Sequence, residues 1–235
     1  MPGLHDCRYE RMSQEHLQQV VALHEKCFPG YYLTNLGPSF LRALYGWYVQ
    51  GSDAIAHVAI DRGESVAGFV AGTVDDSNYR RSLFRSAWWR MALALGRRFI
   101  TNPLLTLRLM GERKDLIRQA LSAVSSGHST KARPTDADSD RDQPTASLVS
   151  IGVRPSARRL GLGAALSEVF VREAWDRGCE RIVLSVRDDN VAARRFYESL
   201  DWEEVSRSSR AYHGSLSITY QKNYHGYGNR QDDAS

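Results

Sequence analysis

The sequence predicts a single mixed α/β domain, and three observations carry that prediction. Short apolar, β-branched runs from Ala54 to Ile60, Val66 to Val74, Leu148 to Val153 and Arg181 to Val186 have strand length and are bounded by turn residues. Between them lie segments whose apolar residues recur at helical spacing, which puts helices beside the strands rather than in a separate layer of sequence. At 235 residues the chain can bury one good core, with room for an insertion, and is too short for two fused enzymes.

Taken in order, Ser13 to Cys27 carries Leu17, Val20, Val21 and His24 on one helical face and stops before Pro29-Gly30, so it is the first helix. Tyr31-Tyr32-Leu33-Thr34-Asn35 reads as a short loop with two adjacent aromatics. Pro38 to Val49 is the second helix, with Phe40, Leu41, Leu44, Trp47 and Tyr48 inward and Pro38 suited to a first turn. The runs at 54–60 and 66–74 flank Asp61-Arg-Gly-Glu and form a β-hairpin. Asp75 to Ala146 is then an insertion. Its first half reads helical, through Phe84, Trp88, Met91, Leu95 and Phe99 and again after Asn102-Pro103; its second half, Ser125 to Thr145, is polar and reads as a linker. Leu148 to Val153 is a strand closed by Arg154-Pro155, and the helix after it presents Leu162, Ala165, Leu166, Val169 and Phe170 inward, with Gly178 at its C-terminal end. Arg181 to Val186 is a strand and Asn190 to Leu200 a helix. The last strands, Glu203 to Tyr212 and Ser215 to Lys222, are joined by His213-Gly214, and residues 223–235 form a polar tail.

The chemistry concentrates between the strand ending at Val153 and the helix starting at Leu162. Arg158-Arg159-Leu160-Gly161-Leu162-Gly163 brings two glycines, two arginines and the free N–H groups of a helix start to one point. Such a place holds phosphate, because unpaired donors, the helix dipole and guanidinium groups all favour an anion. The spacing is neither a Walker loop, which requires Gly-Lys-Ser/Thr, nor a dinucleotide fingerprint, whose glycines follow the strand directly.

Arg-x-x-Gly-x-Gly, from Arg158 through Gly161 to Gly163, resembles the acetyl-CoA pyrophosphate loop of the GNAT superfamily of N-acyltransferases. Asn190-x-x-Ala193-x-x-x-Tyr197, followed by Asp201-Trp202 in place of a Gly-Phe pair, resembles that family's second signature. The resemblance covers Ser147 to about Lys222 well, Tyr9 to Val74 more loosely, and the insertion at 75–146 not at all. It implies one GNAT domain over residues 1–235, interrupted at 75–146: a mixed, mostly antiparallel sheet with splayed central strands and flanking helices. It further implies that acetyl-CoA is bound by Ile151, Gly152, Val153, Arg158, Arg159, Leu160, Gly161, Leu162, Gly163, Ala164, Asn190 and Ala193. Tyr197 matches the family's usual acid, a phenol beside the departing sulfur, while a packed helix aromatic is its bland alternative. A backbone N–H near Ile151 would hold the oxyanion. Tyr31, Tyr32, Thr34, Ser150, Ser185 and His213 fall on the acceptor side. Relatives often carry acids where this chain has Ser150 and Ser185, so the base is left open among water, His213 and Glu168.

The remaining composition narrows the field. Cys7, Cys27 and Cys179 fall singly, and the seven histidines show no metal-ligand spacing, so no metal is expected. The N-terminus lacks a signal-peptide run, no segment reaches the ~20 apolar residues of a membrane span, and the expected location is cytoplasmic. The net charge of +4 is uneven: between Arg80 and Arg118 ten basic residues stand against two acids, giving that stretch +8 and the remainder −4. The basic apolar segment, residues 80–118, suits an anionic membrane surface, which would make the protein peripheral at the inner membrane, a homodimer contact, or a cap on the domain. No nucleic-acid motif is present. Three functions follow: an N-acetyltransferase acting on a small amine such as an amino sugar, a protein lysine or N-terminal acetyltransferase, and a non-catalytic acyl-CoA-binding module.

Overall fold

A computed structural model describes residues 7–74, 93, 143–208 and 216–224. A seven-stranded sheet in the order β1-β2-β3-β4-β5-β7-β6 forms the centre. Its strands are β1 (Arg8–Arg11), β2 (Ala54–Ile60), β3 (Val66–Thr73), β4 (Thr145–Val153), β5 (Arg181–Arg187), β6 (Glu203–Arg207) and β7 (Ser217–Asn223). Every neighbouring pair is antiparallel except β4 and β5. That parallel pair needs a crossover, which α4 (Leu162–Asp176) supplies.

The helices α1 (Leu17–Cys27), α2 (Tyr32–Asn35) and α3 (Pro38–Gln50) precede the hairpin, and α5 (Val191–Glu198) follows β5. Two apolar clusters lie on the two faces of the sheet. Val20, Val21, Leu41, Leu44 and Tyr48 pack α1 and α3 onto Ala56, Val58 and Phe69. Leu162, Leu166, Phe170 and Ala174 pack α4 onto Ile55, Val70 and Leu148 on the other. β2 and β3 therefore face apolar groups on both sides, and their sequences AIAHVAI and VAGFVAGT are near-continuous in small and apolar residues. The one half-buried position of β2, His57, pairs its Nε2 with Glu173 of α4. Glu173 also meets Arg177, whose guanidinium donates to Ser52 O at 2.8 Å, fixing α4 across the sheet.

A bulge in β4 decides where the site forms. Gly72 pairs with Leu148 and Ala71 with Ser150, so Val149 is extra and the strand changes face across it. Leu148 joins the α4 side, whereas Ser150 reaches a hydroxyl on α3.

Several boundaries differ from the sequence reading. β1 was not expected. The first helix opens with a 3-10 turn at Gln14–His16 before α1, and the expected loop at Tyr31–Asn35 is largely the helical turn α2. Pro144 O accepts from Glu180 N at 2.8 Å and β4 begins at Thr145, which takes the last two residues of the expected insertion into the sheet. Asn223 pairs with Arg181, so the tail starts one residue later than expected. Of the expected insertion, residues 75–92 and 94–142 lie outside the described residues; Leu93 between them is helical and exposed. His213, the His213-Gly214 turn and residues 225–235 also lie outside them.

Candidate active site

β4 and β5 pair from Thr145↔Arg181 to Leu148↔Leu184 and no further. Beyond that point Val149–Val153 and Ser185–Arg187 diverge, and the parity of the ladder tells which backbone groups face the split. Arg154 N donates to Ala67 O of the β3 side at 2.8 Å. In an antiparallel pair alternate residues bond the same neighbour, so Gly152 also turns toward β3 while Ile151 and Val153 turn their N–H and C=O groups toward β5. Val153 O is met there by Cys27 Sγ at 3.4 Å and Arg158 Nε at 3.1 Å. Gly152 is held close: a Cβ on it would stand 2.7 Å from the Phe69 ring.

The chain leaves β4 through Arg154, whose guanidinium meets Asp61 Oδ2 at 2.5 Å. Asp61 Oδ1 accepts from Gly63 N and Ser65 N, so the β2–β3 turn anchors the start of the loop. The Arg154 guanidinium, with these two N–H groups, holds the Asp61 carboxyl below its ordinary range. A 3-10 turn at Pro155–Ala157 follows, and then the loop bends through left-handed backbone at Arg159 (φ 61°) and Gly161 (φ 80°) into α4. Gly161 suits this point because it adopts that conformation without a Cβ penalty. The first helix N–H to reach a carbonyl is that of Ala165, on Gly161 O at 3.0 Å. The six N–H groups from Arg159 to Ala164 thus find no carbonyl among the described residues, and they start a helix, where the dipole adds positive potential. Such a row of backbone donors suits an anion. Gly163 borders the Phe196 ring, which a Cβ would meet at 3.3 Å.

On the other side of the split, Asn190 caps α5. Its Oδ1 accepts from Ala193 N at 3.1 Å and its Nδ2 donates to Tyr31 OH at 3.1 Å. Arg187 lies 5.1 Å over the Tyr31 ring and pairs with Asp189. Tyr31 therefore ties the α1–α2 turn to the β5–α5 corner, a contact between residues far apart in the chain. Thr34 Oγ1 instead turns back to Phe28 O at 2.7 Å, and Tyr32 is half-buried. Ser185 is exposed on β5, and Glu168 is exposed on α4 in a pair with Arg172.

Tyr197 sits in the last turn of α5, 5% exposed, among Phe196, Trp202 and Tyr220. Burial raises its phenol pKa well above the usual value, so it stays protonated across the neutral range. Asp201 takes the left-handed conformation (φ 58°) that lets the chain turn from α5 into β6, in place of the glycine of the resembled pattern.

Three residues near the split were not singled out from the sequence: His24, Tyr45 and Arg187. His24 and Tyr45 form a buried hydrogen-bonded row with Ser150 beside β4, and Arg187 packs on Tyr31. For His24 the available signal was its place in the inward stripe of α1, a polar residue where an apolar one is expected. A polar recess lined by Gln143, Glu180, Arg181, Gln221, Asn223 and Tyr224 opens at the opposite end of β4 and β5, away from all of these groups. Among the described residues no cluster of His, Cys, Asp or Glu has the form of a metal site, and no helix is long and apolar enough to cross a membrane.

Known proteins resemble this part of the chain. Residues 129–202 match the family model described as Acetyltransferase (GNAT) family. A mycothiol acetyltransferase of Saccharomonospora viridis is 32% identical over 100 residues, 43% of this chain and 33% of that protein. A [ribosomal protein bS18]-alanine N-acetyltransferase of Escherichia coli K12 is 43% identical over 61 residues, 26% of this chain and 41% of that protein. The matches thus span a third to two fifths of the length of these curated relatives. The crystal structure of the ribosomal-protein-S18-alanine N-acetyltransferase from Escherichia coli superimposes with a TM-score of 0.53 at 16% identity, covering 95% of this chain and 97% of that one. The family match covers residues 129–202, the segment that carries the Arg158–Gly163 loop and Tyr197, and the superposition shows that the fold is shared with that enzyme.

Proposed function

We propose that the chain transfers an acetyl group from acetyl-CoA to a primary amine by direct attack on the thioester. The observation that carries this reading is the row of six N–H groups at 159–164 that meet no carbonyl among the described residues, beside a split into which Ile151 and Val153 turn their backbone groups. A pyrophosphate on the loop, neutralised by Arg158 and Arg159, lets the pantetheine arm run along the split as an added strand, bonding through its amides. The thioester then lies near Ile151, whose N–H is aimed to hold the developing oxyanion. Tyr197, protonated at neutral pH, supplies the departing thiolate with a proton. Asn190 and Ala193 border the arm, and Tyr31, Tyr32, Thr34 and Ser185 border the acceptor.

For the acceptor we favour a small-molecule amine such as an amino sugar. The α-amine of a protein N-terminus is the second reading, favoured by the 43% identity over 61 residues to a ribosomal-protein alanine N-acetyltransferase. The test is thiol release from acetyl-CoA across amino sugars, polyamines, amino acids and peptides with free N-termini. Turnover with one acceptor class is the expected result. Acetyl-CoA binding with no thiol release from any amine would instead support a non-catalytic acyl-CoA-binding module.

A further inference from the structure

Three polar side chains from three elements meet in the core on the α1–α3 face of β4. His24 is 3% exposed, Tyr45 1% and Ser150 8%. His24 Nδ1 lies 2.7 Å from Tyr45 OH, and Tyr45 OH donates to Ser150 Oγ at 3.2 Å. Phe28 and Phe69 flank the imidazole. Such a row costs desolvation that apolar side chains would avoid, and hydrogen bonding returns little of it as net stability.

The row has a direction. His24 Nε2 is buried with no partner among the described residues. A hydrogen there would be an orphaned buried donor, a rarer and costlier state than a bare lone pair, so the hydrogen belongs on Nδ1 and is donated to Tyr45. Tyr45 then spends its single hydrogen on Ser150. The hydrogen of Ser150 itself finds no acceptor among the described residues, and donors in series polarise one another the same way. Ser150 is thereby a strengthened donor instead of a base. Its chain neighbour Ile151 is the residue whose N–H faces the split.

We infer that Ser150, aimed by Tyr45 and His24, is a second hydrogen-bond donor to the negative charge that develops on the acetyl oxygen during transfer. This rests on the acetyltransferase reading above. The amine lone pair forms the N–C bond while the carbonyl π pair moves onto oxygen, where the Ser150 O–H and the Ile151 N–H hold it. When that pair returns, the C–S bond breaks, the thiolate gains a proton and the nitrogen loses one to water. Ser150 keeps its proton throughout. Tyr45 and His24 touch no reacting atom and are positioning residues.

The test measures kcat and KM of the full chain for Ser150→Ala, Tyr45→Phe and the double variant, on an amine that the parent acetylates. Each single change is expected to lower kcat by ~10²-fold, the scale of one lost oxyanion donor, with acetyl-CoA affinity unchanged. The double variant should fall no further than the worse single, because Tyr45 acts only through Ser150. Ser150→Thr, which keeps the hydroxyl, should retain activity. Parental kcat in Ser150→Ala or Tyr45→Phe, or losses that add, would overturn the assignment and leave the row a packing feature. A parent that shows no thiol release with any amine overturns the acetyltransferase reading, and this assignment with it.

Discussion

At the scale of single residues, Tyr197 and His24 show burial acting in opposite directions. Burial opposes ionisation of the Tyr197 phenol, so the proton an acid must supply is present throughout the neutral range. Tyr197→Phe keeps the ring among Phe196, Trp202 and Tyr220 and removes that proton. Thiol release should slow by about 10²-fold with acetyl-CoA binding retained; turnover close to parental, with chemistry rate-limiting, would return Tyr197 to a packing role. His24 is pushed down to about 4 by desolvation. Because its folded pKa lies below its unfolded value of ~6.5, its neutral form contributes stability that is complete above that value and lost as pH falls toward 4. The shift corresponds to roughly 3 kcal/mol at full protonation of the unfolded state. Melting temperature followed from pH 7 to pH 4 should therefore fall more steeply in the parent than in His24→Gln. Equal slopes would show that the imidazole is solvated in the native state.

At the scale of elements, Asn190 separates two roles that one side chain performs. Its Oδ1 caps α5 and its Nδ2 holds Tyr31. Asn190→Ala should cost about 1 kcal/mol, the usual loss of a cap. Asn190→Asp keeps the acceptor for Ala193 N but loses the donor to Tyr31, so it should melt near the parent while freeing the α1–α2 turn, read as increased amide exchange around Tyr31. An unchanged exchange pattern would mean the Tyr31 contact contributes nothing. The cap itself was legible as Asn before a helical run, whereas its second bond joins residues 159 apart and leaves no local trace. The same distinction runs through the fold. Helical spacing marks α1, α3 and α4, and the β2–β3 hairpin shows in two apolar runs around a turn. β1 escaped because Arg8–Arg11 is RYER, an edge strand without apolar alternation. The turn at Tyr32–Asn35 escaped because four residues carry no period. The loop from Arg158 to Gly163 could be singled out from spacing because its residues are consecutive; the row of His24, Tyr45 and Ser150 could not, since folding alone brings α1, α3 and β4 together.

At the scale of the whole molecule, the sheet divides the site. Tyr197 belongs to the apolar cluster on the α4 face, and Ser150 meets Tyr45 on the α1–α3 face, so the two lie on opposite sides of the sheet that splits between β4 and β5. That arrangement suits a thioester threaded through the sheet, with sulfur toward one face and amine arriving from the other. The basic stretch of residues 80–118 bears on where such chemistry takes place. If its charge serves an anionic membrane, flotation with anionic vesicles should show binding that weakens steeply with salt, as screening over ~8 Å requires; no binding at low salt would leave a cap or dimer contact. The phosphate loop is the feature on which the functional proposal depends, and acetyl-CoA titration by calorimetry tests it most directly. Because the donors are backbone groups, Gly163→Val, whose side chain would press on the Phe196 ring and shift the helix start, should weaken acetyl-CoA far more than Arg159→Ala, which removes one screened charge. Parental affinity in both variants would contradict the assignment of this loop as the pyrophosphate site.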